Sequence, residues 1–431
     1  MLTTIGINMT QRNERSDYVV RDEALQVLKV KAQTLYCYVS RGHIRSVRHA
    51  NGRASLYLRK DIERMRTKAS TLGRLREGLA PAANTRVVWP RAITTIAEDG
   101  HHYRSRSALK LVDEGCTFEG VSEYLWSGEW HDEALAWTTA SIPPGVVSLV
   151  EGVTRLHKRP HLIQLLMQAV LALGIAEGSR SERFRAGGAP VISARRTLRA
   201  MVGTLGLAGP KQAFLQLKDG EFLCAGIARA LGLRPTQEAL QGLDALLVLM
   251  ADYELDPPAL AARLAASAGG HVHAGVTAAL SVHSASLTGR VCDRVEQLFP
   301  THALPEATLS KVRTELGAGR PVPGLERPHS RYSQGDPRAR CLIEFANQIG
   351  RQAPAYRGMA ETTRLIEKKC GATPSVEFAL VMMSRALGLP EYTASGLYAL
   401  SRTAGWIAHI FDQRLAGFMV WPRMRVTPYG R

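Results

Sequence analysis

The stretch of sequence that decides the fold is LLVLMADYELDPPALAARLAASAGG, which occupies residues 246–270. Its apolar run stops abruptly at Asp252, Tyr253 and Glu254, and two prolines and an alanine-rich segment follow. Two carboxyl groups therefore flank one phenol at the end of an apolar segment. Such a group is either a solvated helix end or the edge of an active site, and the stretch by itself leaves both interpretations open.

Beyond residue 70, apolar residues recur at helical spacing through almost the whole chain. Several of these segments stop at a glycine, which commonly follows the last residue of a helix. The alternation typical of strands is nearly absent, and the proline- and glycine-rich stretches near 139–146 and 316–337 indicate connections. We therefore expect a large all-α domain, with helices at residues 107–115, 118–128, 160–174, 222–232 and 376–388.

The composition argues against several classes of protein. With 431 residues, of which 45% are hydrophobic, the chain can hold two or three domains around ordinary cores. The six cysteines are scattered without the spacing of a zinc site, which predicts reduced thiols, a cytoplasmic protein and no bound metal. The first residues lack the apolar run of a signal peptide, and the most apolar segment, residues 162–176, is too short to span a bilayer. We expect a buried helix there and no membrane as a partner.

The first 70 residues differ from the rest in charge and in pattern. They hold 14 Lys and Arg against six Asp and Glu. The resulting net charge, 14 − 6 = +8, is nearly half of the chain's net charge of +17. The segment from residue 21 reads as a helix, a short turn near 30–32 and a second helix that stops at Gly42. Asn51-Gly52 then gives a strong signal for a hairpin turn.

This pattern resembles the winged helix-turn-helix domains of excisionases and MerR-type regulators, over about residues 18–68. The resemblance implies duplex DNA as a partner, with the second helix in the major groove. The side chains that it places near base edges or phosphates are Lys31, Gln33, Thr34, Tyr38, Arg41 and Arg45. A helical dimerisation module with a basic face is the alternative interpretation.

Three separated stretches carry a second resemblance. They are the opening one, PHSRYSQGDPRA at residues 328–339, and SVEFALVMMSRALGLPEYTASGLYALSRTAGWIAHIFDQR at residues 375–414. In this order and spacing they resemble citrate synthase and its 2-methylcitrate synthase relatives, over about residues 85–425. The resemblance implies a citrate-synthase-type two-domain helical fold and a homodimer. The implied domains are a helix-turn-helix domain at 1–70 and a citrate-synthase-like domain at 71–431, with a large part at 71–240 and 345–431 and a small part at about 241–344.

The resemblance also implies a reaction. Members of the family condense an acyl-CoA with a 2-oxo acid, using a carboxylate base, a hydrogen-bond donor to the thioester oxygen and a second donor to the ketone oxygen. Carried over, the base is Glu377, the thioester-side donor is Tyr253 and the ketone-side donor is His329. The substrate carboxylates would be bound by Arg338 of GDPRA and Arg402 of SRTAGW. The residues before the ketone-side histidine line the CoA adenine in relatives, and no cofactor is expected beyond acyl-CoA as a co-substrate.

Several motifs depart from the family pattern. Tyr253 stands where the family carries His, and Glu377 stands where it carries Asp. The family's HGGAN turn reads TGRVCD at residues 288–293, and Trp421 replaces an arginine that reaches the partner's site, unless Arg423 or Arg425 substitutes for it. A phenol donates a hydrogen bond and glutamate remains a carboxylate, so both replacements keep the role and change the reach. The alternative is that both residues merely pack a cleft that has lost its activity.

Three functions follow from this reading of the motifs. The leading interpretation is a citrate-synthase-type acyltransferase that acts on acetyl-CoA, or a short homologue, and on a 2-oxo acid such as oxaloacetate. The first alternative is a DNA-binding transcriptional regulator whose degenerate citrate-synthase domain senses a CoA thioester or a tricarboxylate. The second is a catalytically silent partner in a heterodimer. The basic segment GHHYRSRSA at residues 100–108 is interpreted as an exposed face or as a contact for CoA phosphates.

Overall fold

The computed structural model describes residues 18–28, 30, 32, 35, 39, 44, 46–48, 55–63, 93–133, 136–154, 161–178, 189–301, 304–326, 332, 335–417 and 419–420. The chain consists of two compact units, Met1–Val88 and Trp89–Arg431. Helices far outweigh strands among the described residues of the larger unit, so the unit is mostly helical, but it also contains short strands that the all-α prediction did not include. The division of that unit into large and small domains stays a prediction.

In the described part of the first unit, a small antiparallel sheet packs against a helix. Strands β1 (Tyr18–Val20), β2 (Ser46–Arg48) and β3 (Ser55–Leu58) lie in the order β1-β3-β2, and helix α1 spans Arg21–Leu28. Strands β2 and β3 pair antiparallel on either side of the segment that contains Asn51-Gly52. A hydrophobic cluster in the described part of this unit consists of Val19, Ala24, Leu28, Leu35, Ile44, Tyr57 and Ile62.

The residues predicted to contact DNA lie outside the described part of this unit. They are Lys31, Gln33, Thr34, Tyr38, Arg41 and Arg45, and most of the predicted second helix lies outside it as well. The helix-turn-helix assignment and the DNA partner therefore stay predictions.

The second unit begins with a three-stranded meander that the sequence pattern did not indicate. Strands β4 (Thr94–Ala97), β5 (Gly100–Tyr103) and β6 (Arg106–Ser107) pair antiparallel in chain order. Gly100, with a φ of 117°, allows the tight reversal between β4 and β5. Strands this short do not display a period of two clearly enough to be recognised in the sequence.

Helices make up most of the rest of the second unit. Two short strands, β7 (Leu325–Glu326) and β8 (Thr373–Pro374), pair with each other, and Gly350–Gln352 forms a 3₁₀ turn. The helices are α2 (Ala108–Asp113), α3 (Phe118–Ser127), α4 (Pro144–Val153), α5 (Leu162–Glu177), α6 (Ala189–Leu205), α7 (Leu223–Leu231), α8 (Gln237–Leu249), α9 (Pro257–Ser267), α10 (Val272–His283), α11 (Val291–Leu298), α12 (Pro305–Gly317), α13 (Pro337–Ile349), α14 (Pro354–Cys370), α15 (Val376–Ala386) and α16 (Thr393–Ala416).

Glycines end several of these helices, as the sequence predicted. Gly128 follows α3 with a φ of 79°, and Gly232 follows α7 with a φ of 74°. Both angles lie in the left-handed region that glycine adopts without strain. Gly174 was wrongly taken as a helix stop, because α5 continues to Glu177. A methyl group on Gly174 would lie 2.8 Å from the Cβ of His273, so the glycine there serves close packing.

Helix α16 lies at the centre of the second unit. It is buried on almost every face, and α3, α5, α6, α9 and α10 all pack against it. Small residues allow the closest of these contacts, since a methyl group on Gly275 of α10 would lie 2.5 Å from Cδ1 of Ile410. None of the described helices is both long enough and apolar enough to cross a membrane.

Candidate active site

The turn between α8 and α9 carries Asp252, Tyr253 and Glu254. Helix α8 ends at Leu249, and α9 begins at Pro257 under an N-cap from Asp256, whose Oδ1 accepts a hydrogen bond from the amide of Ala259 at 2.9 Å. Asp252 is completely buried, so the turn is not a solvated helix end. Glu254 adopts a φ of 48°, an uncommon conformation for this residue type that the surrounding contacts must hold in place.

A buried network fixes the Asp252 carboxylate. Thr94 Oγ1 donates to Oδ2 at 2.6 Å, and on the other side Oδ1 lies 3.3 Å from Nε2 of His409 and 3.5 Å from Nη1 of Arg402. Burial by itself would raise the pKa of Asp252, but His409, Arg402 and Thr94 outweigh it and hold that pKa below the ordinary value. Asp252 is therefore an anchor for the turn.

The tautomer of His409 follows from its other neighbour. Arg263 Nε donates to Nδ1 of His409 at 2.9 Å, so Nδ1 is an acceptor. The ring proton then lies on Nε2, which faces Asp252. Helices α9 and α16 are thereby tied to the turn through one histidine.

Gly405 of α16 lets this turn approach the helix. Its amide donates to the carbonyl of Ala251 at 3.0 Å. A methyl group on Gly405 would lie 2.5 Å from that carbonyl oxygen and closer still to Oδ1 of Asp252. The glycine of the SRTAGW motif is therefore a packing requirement of the site.

Replacing Gly405 with alanine is expected to destabilise the protein by about 1–3 kcal/mol, because the overpacked contact outweighs the helix propensity gained. Urea unfolding would measure the change. Gly358→Ala on α14 is the matched control, since a methyl group there meets nothing within 4 Å, and it should leave stability unchanged or slightly higher. An unfolding midpoint of Gly405→Ala equal to that of the wild type would contradict this account of the turn.

Tyr253 lies between a histidine and an arginine. The edge of the fully buried His101 contacts its ring at a centroid distance of 5.0 Å, and Cζ of Arg338 lies 5.2 Å from the ring centroid. His101 belongs to the segment that was interpreted as an exposed basic face, and for this residue that interpretation is wrong. Successive side chains of β5 point to opposite sides, which places His101 and Tyr103 inward.

The other polar residues of that segment make contacts within the chain. His102 lies 2.9 Å from a carboxylate oxygen of Asp99. Arg104 Nε donates to the carbonyl of Tyr124 at 3.0 Å, and Arg106 stacks on Trp130 at 4.2 Å. These contacts favour a structural role for the segment over contact with CoA phosphates.

The two arginines predicted to bind substrate are both buried and charged. Burial acts to lower the pKa of each guanidinium, but Asp336 outweighs it at Arg338, and Asp256 and Asp252 outweigh it at Arg402. As a result both pKa values are raised. Arg338 lies at the start of α13 and Arg402 near the middle of α16.

Glu377 lies at the start of α15. Ser375 caps this helix, and its hydroxyl donates to Oε2 of Glu377 at 2.6 Å. Burial and then Glu377 raise the pKa of Tyr398, whereas Arg402 and Arg338 act to lower it. Tyr398 therefore lies within electrostatic range of the proposed base and of both arginines.

Two of the predicted site positions lie outside the described residues. His329, the proposed ketone-side donor, is one of them, and the segment that holds Trp421, Arg423 and Arg425 is the other. The guanidinium group of Arg338 lies over the ring of Tyr253. Arg402 lies beside Asp252, the residue that precedes Tyr253 in the turn. The roles assigned to these residues stay predictions.

His283 is a core histidine beside this group. It is 3% exposed, and its ring contacts Tyr398 and Trp406 edge-on, at centroid distances of 5.0 and 5.2 Å. Burial and the nearby Arg402 lower its pKa to about 3, so the ring is neutral at physiological pH. These contacts indicate a packing role for His283.

Comparison with known proteins connects this site with one family. The family model for the citrate synthase C-terminal domain matches residues 83–423. Citrate synthase 2 of Bacillus subtilis is 24% identical over 199 residues, which cover 46% of this chain and 53% of the relative. The citrate synthase of Saccharolobus solfataricus is 29% identical over 206 residues, covering 44% and 51%. The chain thus spans about half the length of these two relatives.

A longer match and two solved structures extend the comparison. The 2-methylcitrate synthase 2 of Corynebacterium glutamicum is 22% identical over 333 residues, which cover 72% of this chain and 84% of the relative. The Thermoplasma acidophilum citrate synthase, in a ternary complex with carboxymethyl coenzyme A and oxaloacetate, superposes with a TM-score of 0.68 at 20% identity, covering 82% and 97%. The Thermotoga maritima citrate synthase gives 0.63 at 17%, covering 82% and 96%. At these identities the structures establish the fold.

Proposed function

Because the chain belongs to the citrate synthase family, we propose that it condenses a short acyl-CoA with a 2-oxo acid. The observation that carries this proposal is the meeting of Tyr253, Arg338 and Arg402 at one buried turn. Glu377 stands at the start of α15, which packs against both arginine-bearing helices. A donor, a pair of cations and a carboxylate are the groups that enolisation of a thioester beside an oxo acid needs.

In this reaction Glu377 removes a proton from the α-carbon of the acyl-CoA. The resulting enolate carbon forms a bond to the ketone carbon of the oxo acid, and the ketone oxygen takes a proton from His329. Water then hydrolyses the thioester, which releases CoA as the thiol and leaves a 2-hydroxy acid with one additional carboxylate. Arg338 and Arg402 supply positive charge for the oxo acid.

Tyr253 supplies the donor to the enolate oxygen. A phenol donates a hydrogen bond through its O–H, as the tyrosine of an oxyanion hole does. The contacts of its ring with His101 and Arg338 hold the ring in place. A preorganised donor of this kind stabilises the charge that develops in the transition state.

A surface cavity beside α11 and α12 suits the CoA end of the substrate. Its lining combines Arg294, Lys311 and Glu315 with the apolar side chains of Val322 and Pro323, and the Glu315 carboxylate is paired with Arg320 at 2.6 Å. Cationic groups next to an apolar wall match phosphates attached to an adenine. Val322 and Pro323 belong to the segment that precedes His329. The family resemblance places the CoA adenine at that segment.

The remaining predictions accompany this function. The predicted homodimer rests on the family resemblance. The predicted cytoplasmic location rests on the pattern of the cysteines, and those that the structure describes are free thiols: Cys116, Cys224, Cys292, Cys341 and Cys370. Nothing in the described part of the chain favours the alternative, a DNA-binding regulator with a degenerate sensor domain. The winged helix-turn-helix domain stays a prediction about residues 1–70.

Release of CoA thiol from acetyl-CoA or propionyl-CoA in the presence of a 2-oxo acid tests the proposed function. We expect steady-state release that requires both substrates and saturates in each. The control without oxo acid measures simple thioester hydrolysis. Turnover no faster than that control, with every oxo acid tried, would rule the function out.

A further inference from the structure

The side chain of Ser375 makes two hydrogen bonds at the start of α15. Its Oγ accepts from the amide of Phe378 at 3.5 Å, which caps the helix. Its hydroxyl donates to Oε2 of Glu377 at 2.6 Å. Oxygen–oxygen distances of about 2.5–2.7 Å are typical of a hydroxyl that donates to a carboxylate, and such bonds are among the strong ones in proteins. One oxygen of the proposed base is therefore held firmly by Ser375.

Ser375 is itself fixed by the two short strands that precede α15. Its amide donates to the carbonyl of Gly324 at 2.8 Å, and the next pair along is Leu325 of β7 with Pro374 of β8. Gly324 has no room to move, since a methyl group on it would lie 2.5 Å from Cγ2 of Val295. Ser375 is also 3% exposed. Its hydroxyl is thus held at the position from which it reaches Glu377.

The rest of the Glu377 carboxylate is unrestrained by the described part of the chain. Oε1 makes neither a hydrogen bond nor an ion pair to any residue that the structure describes, and the side chain is only partly buried. Glutamate has much rotamer freedom to lose when it is fixed. Without the Ser375 hydroxyl, the carboxylate would therefore move among several rotamers, whereas with it Oε1 stays in one place and remains available for a proton.

We propose that Ser375 is a positioning residue for the base: its hydroxyl holds Oε2 of Glu377 so that Oε1 meets the α-carbon of the acyl-CoA. This inference rests on the proposed function and adds a residue to its site. Ser375 moves no proton, and the α-proton still passes to Glu377. A misplacement of about 1 Å can cost about 10²-fold in rate. The effect of the hydroxyl therefore belongs to the chemical step and not to the binding of either substrate.

The first test removes the hydroxyl and then restores it. Ser375→Ala is expected to lower kcat for thiol release by about 10–10²-fold, with each KM changed less than about threefold. Ser375→Thr keeps the hydroxyl and a side chain that caps helices, so its kcat should lie within about threefold of the wild type. Solvent deuterium exchange into the acyl group should fall and recover in parallel, because it reports removal of the α-proton. A Ser375→Ala protein with the kcat of the wild type would overturn the inference.

Two further variants separate positioning of the base from capping of the helix. Ser375→Gly lacks the hydroxyl but weakens a helix cap only slightly, so it should be as slow as Ser375→Ala and unfold at nearly the wild-type temperature. Thr117→Ala is the matched control, because it removes the cap of α3, a helix with no proposed site residue. It should unfold at a lower temperature and keep the wild-type kcat. A folded Ser375→Gly protein as fast as the wild type would show that the hydroxyl only caps α15.

A double-variant cycle tests whether Ser375 acts through Glu377. In the Glu377→Gln background, Ser375→Ala should change the residual rate of exchange by less than about threefold, because the base that it positions is already gone. A further loss of about 10–10²-fold there would overturn the inference and leave the proposed function standing. A wild type with neither thiol release nor exchange would overturn the proposed function and this inference with it.

Discussion

Replacing Glu377 with glutamine is expected to lower the rate of condensation by about 10²–10⁴-fold, the usual contribution of a general base. Asp252, Asp256 and Asp336 are ion-paired with Arg338 or Arg402. Glu377 has neither arginine as an ion-pair partner among the described contacts, which agrees with the role of base proposed for it. Glutamine keeps an oxygen for the Ser375 hydroxyl and should preserve the start of α15. Steady-state thiol release measures the change.

The control for this variant is Glu361→Gln, at an exposed position of α14. It makes the same chemical change away from the site and should turn over at the wild-type rate. A Glu377→Gln protein as active as Glu361→Gln would show that another group is the base, and the assignment of the site would then be wrong.

Replacing Tyr253 with phenylalanine is expected to lower the rate by about 10²–10³-fold, the typical cost of losing one oxyanion donor. The ring and its contacts with His101 and Arg338 remain, so the change removes only the hydroxyl. Tyr253→His returns a donor and should be faster than Tyr253→Phe if the pocket accepts an imidazole beside the longer Glu377. Single-turnover kinetics with saturating substrates would separate the chemical step from binding.

Tyr356→Phe is the matched control for Tyr253→Phe. The Tyr356 hydroxyl donates to Oδ1 of Asn347 at 2.6 Å, so Tyr356→Phe keeps the ring and removes a hydrogen-bonded hydroxyl from α14. Stability should fall slightly, by about 0.5–1.5 kcal/mol, with no loss of rate. If Tyr253→Phe likewise changes only stability, the phenol is a packing residue.

The sequence predicted the helices well because their signals are local. Apolar spacing and a following glycine indicated α3 and α7 to within a residue or two. The meander of β4, β5 and β6 was missed because its strands are only two to four residues long. At Gly174 the glycine serves a contact with His273, which no pattern within α5 reveals.

The site was predictable only where motifs carried it. GDPRA and SRTAGW led to Arg338 and Arg402, but the burial of Asp252 depends on Thr94 and His409, which are far away in sequence. The role of Asp256 as a counter-ion of Arg402 likewise arises from tertiary structure. His101 carried a weak signal, since it lies two residues before the inward-facing Tyr103, but strands were not expected there.

Exchange of deuterium from solvent into the α-carbon of a bound acyl-CoA tests the central claim most directly, because it reports enolisation without requiring carbon–carbon bond formation. The full-length protein would be incubated in D₂O with acetyl-CoA or a dethia analogue and a 2-oxo acid, and the acyl group analysed by mass spectrometry. We predict oxo-acid-dependent exchange in the wild type and almost none in Glu377→Gln. Exchange that is absent from the wild type with every short acyl-CoA, or that is equal in the two proteins, would contradict the account.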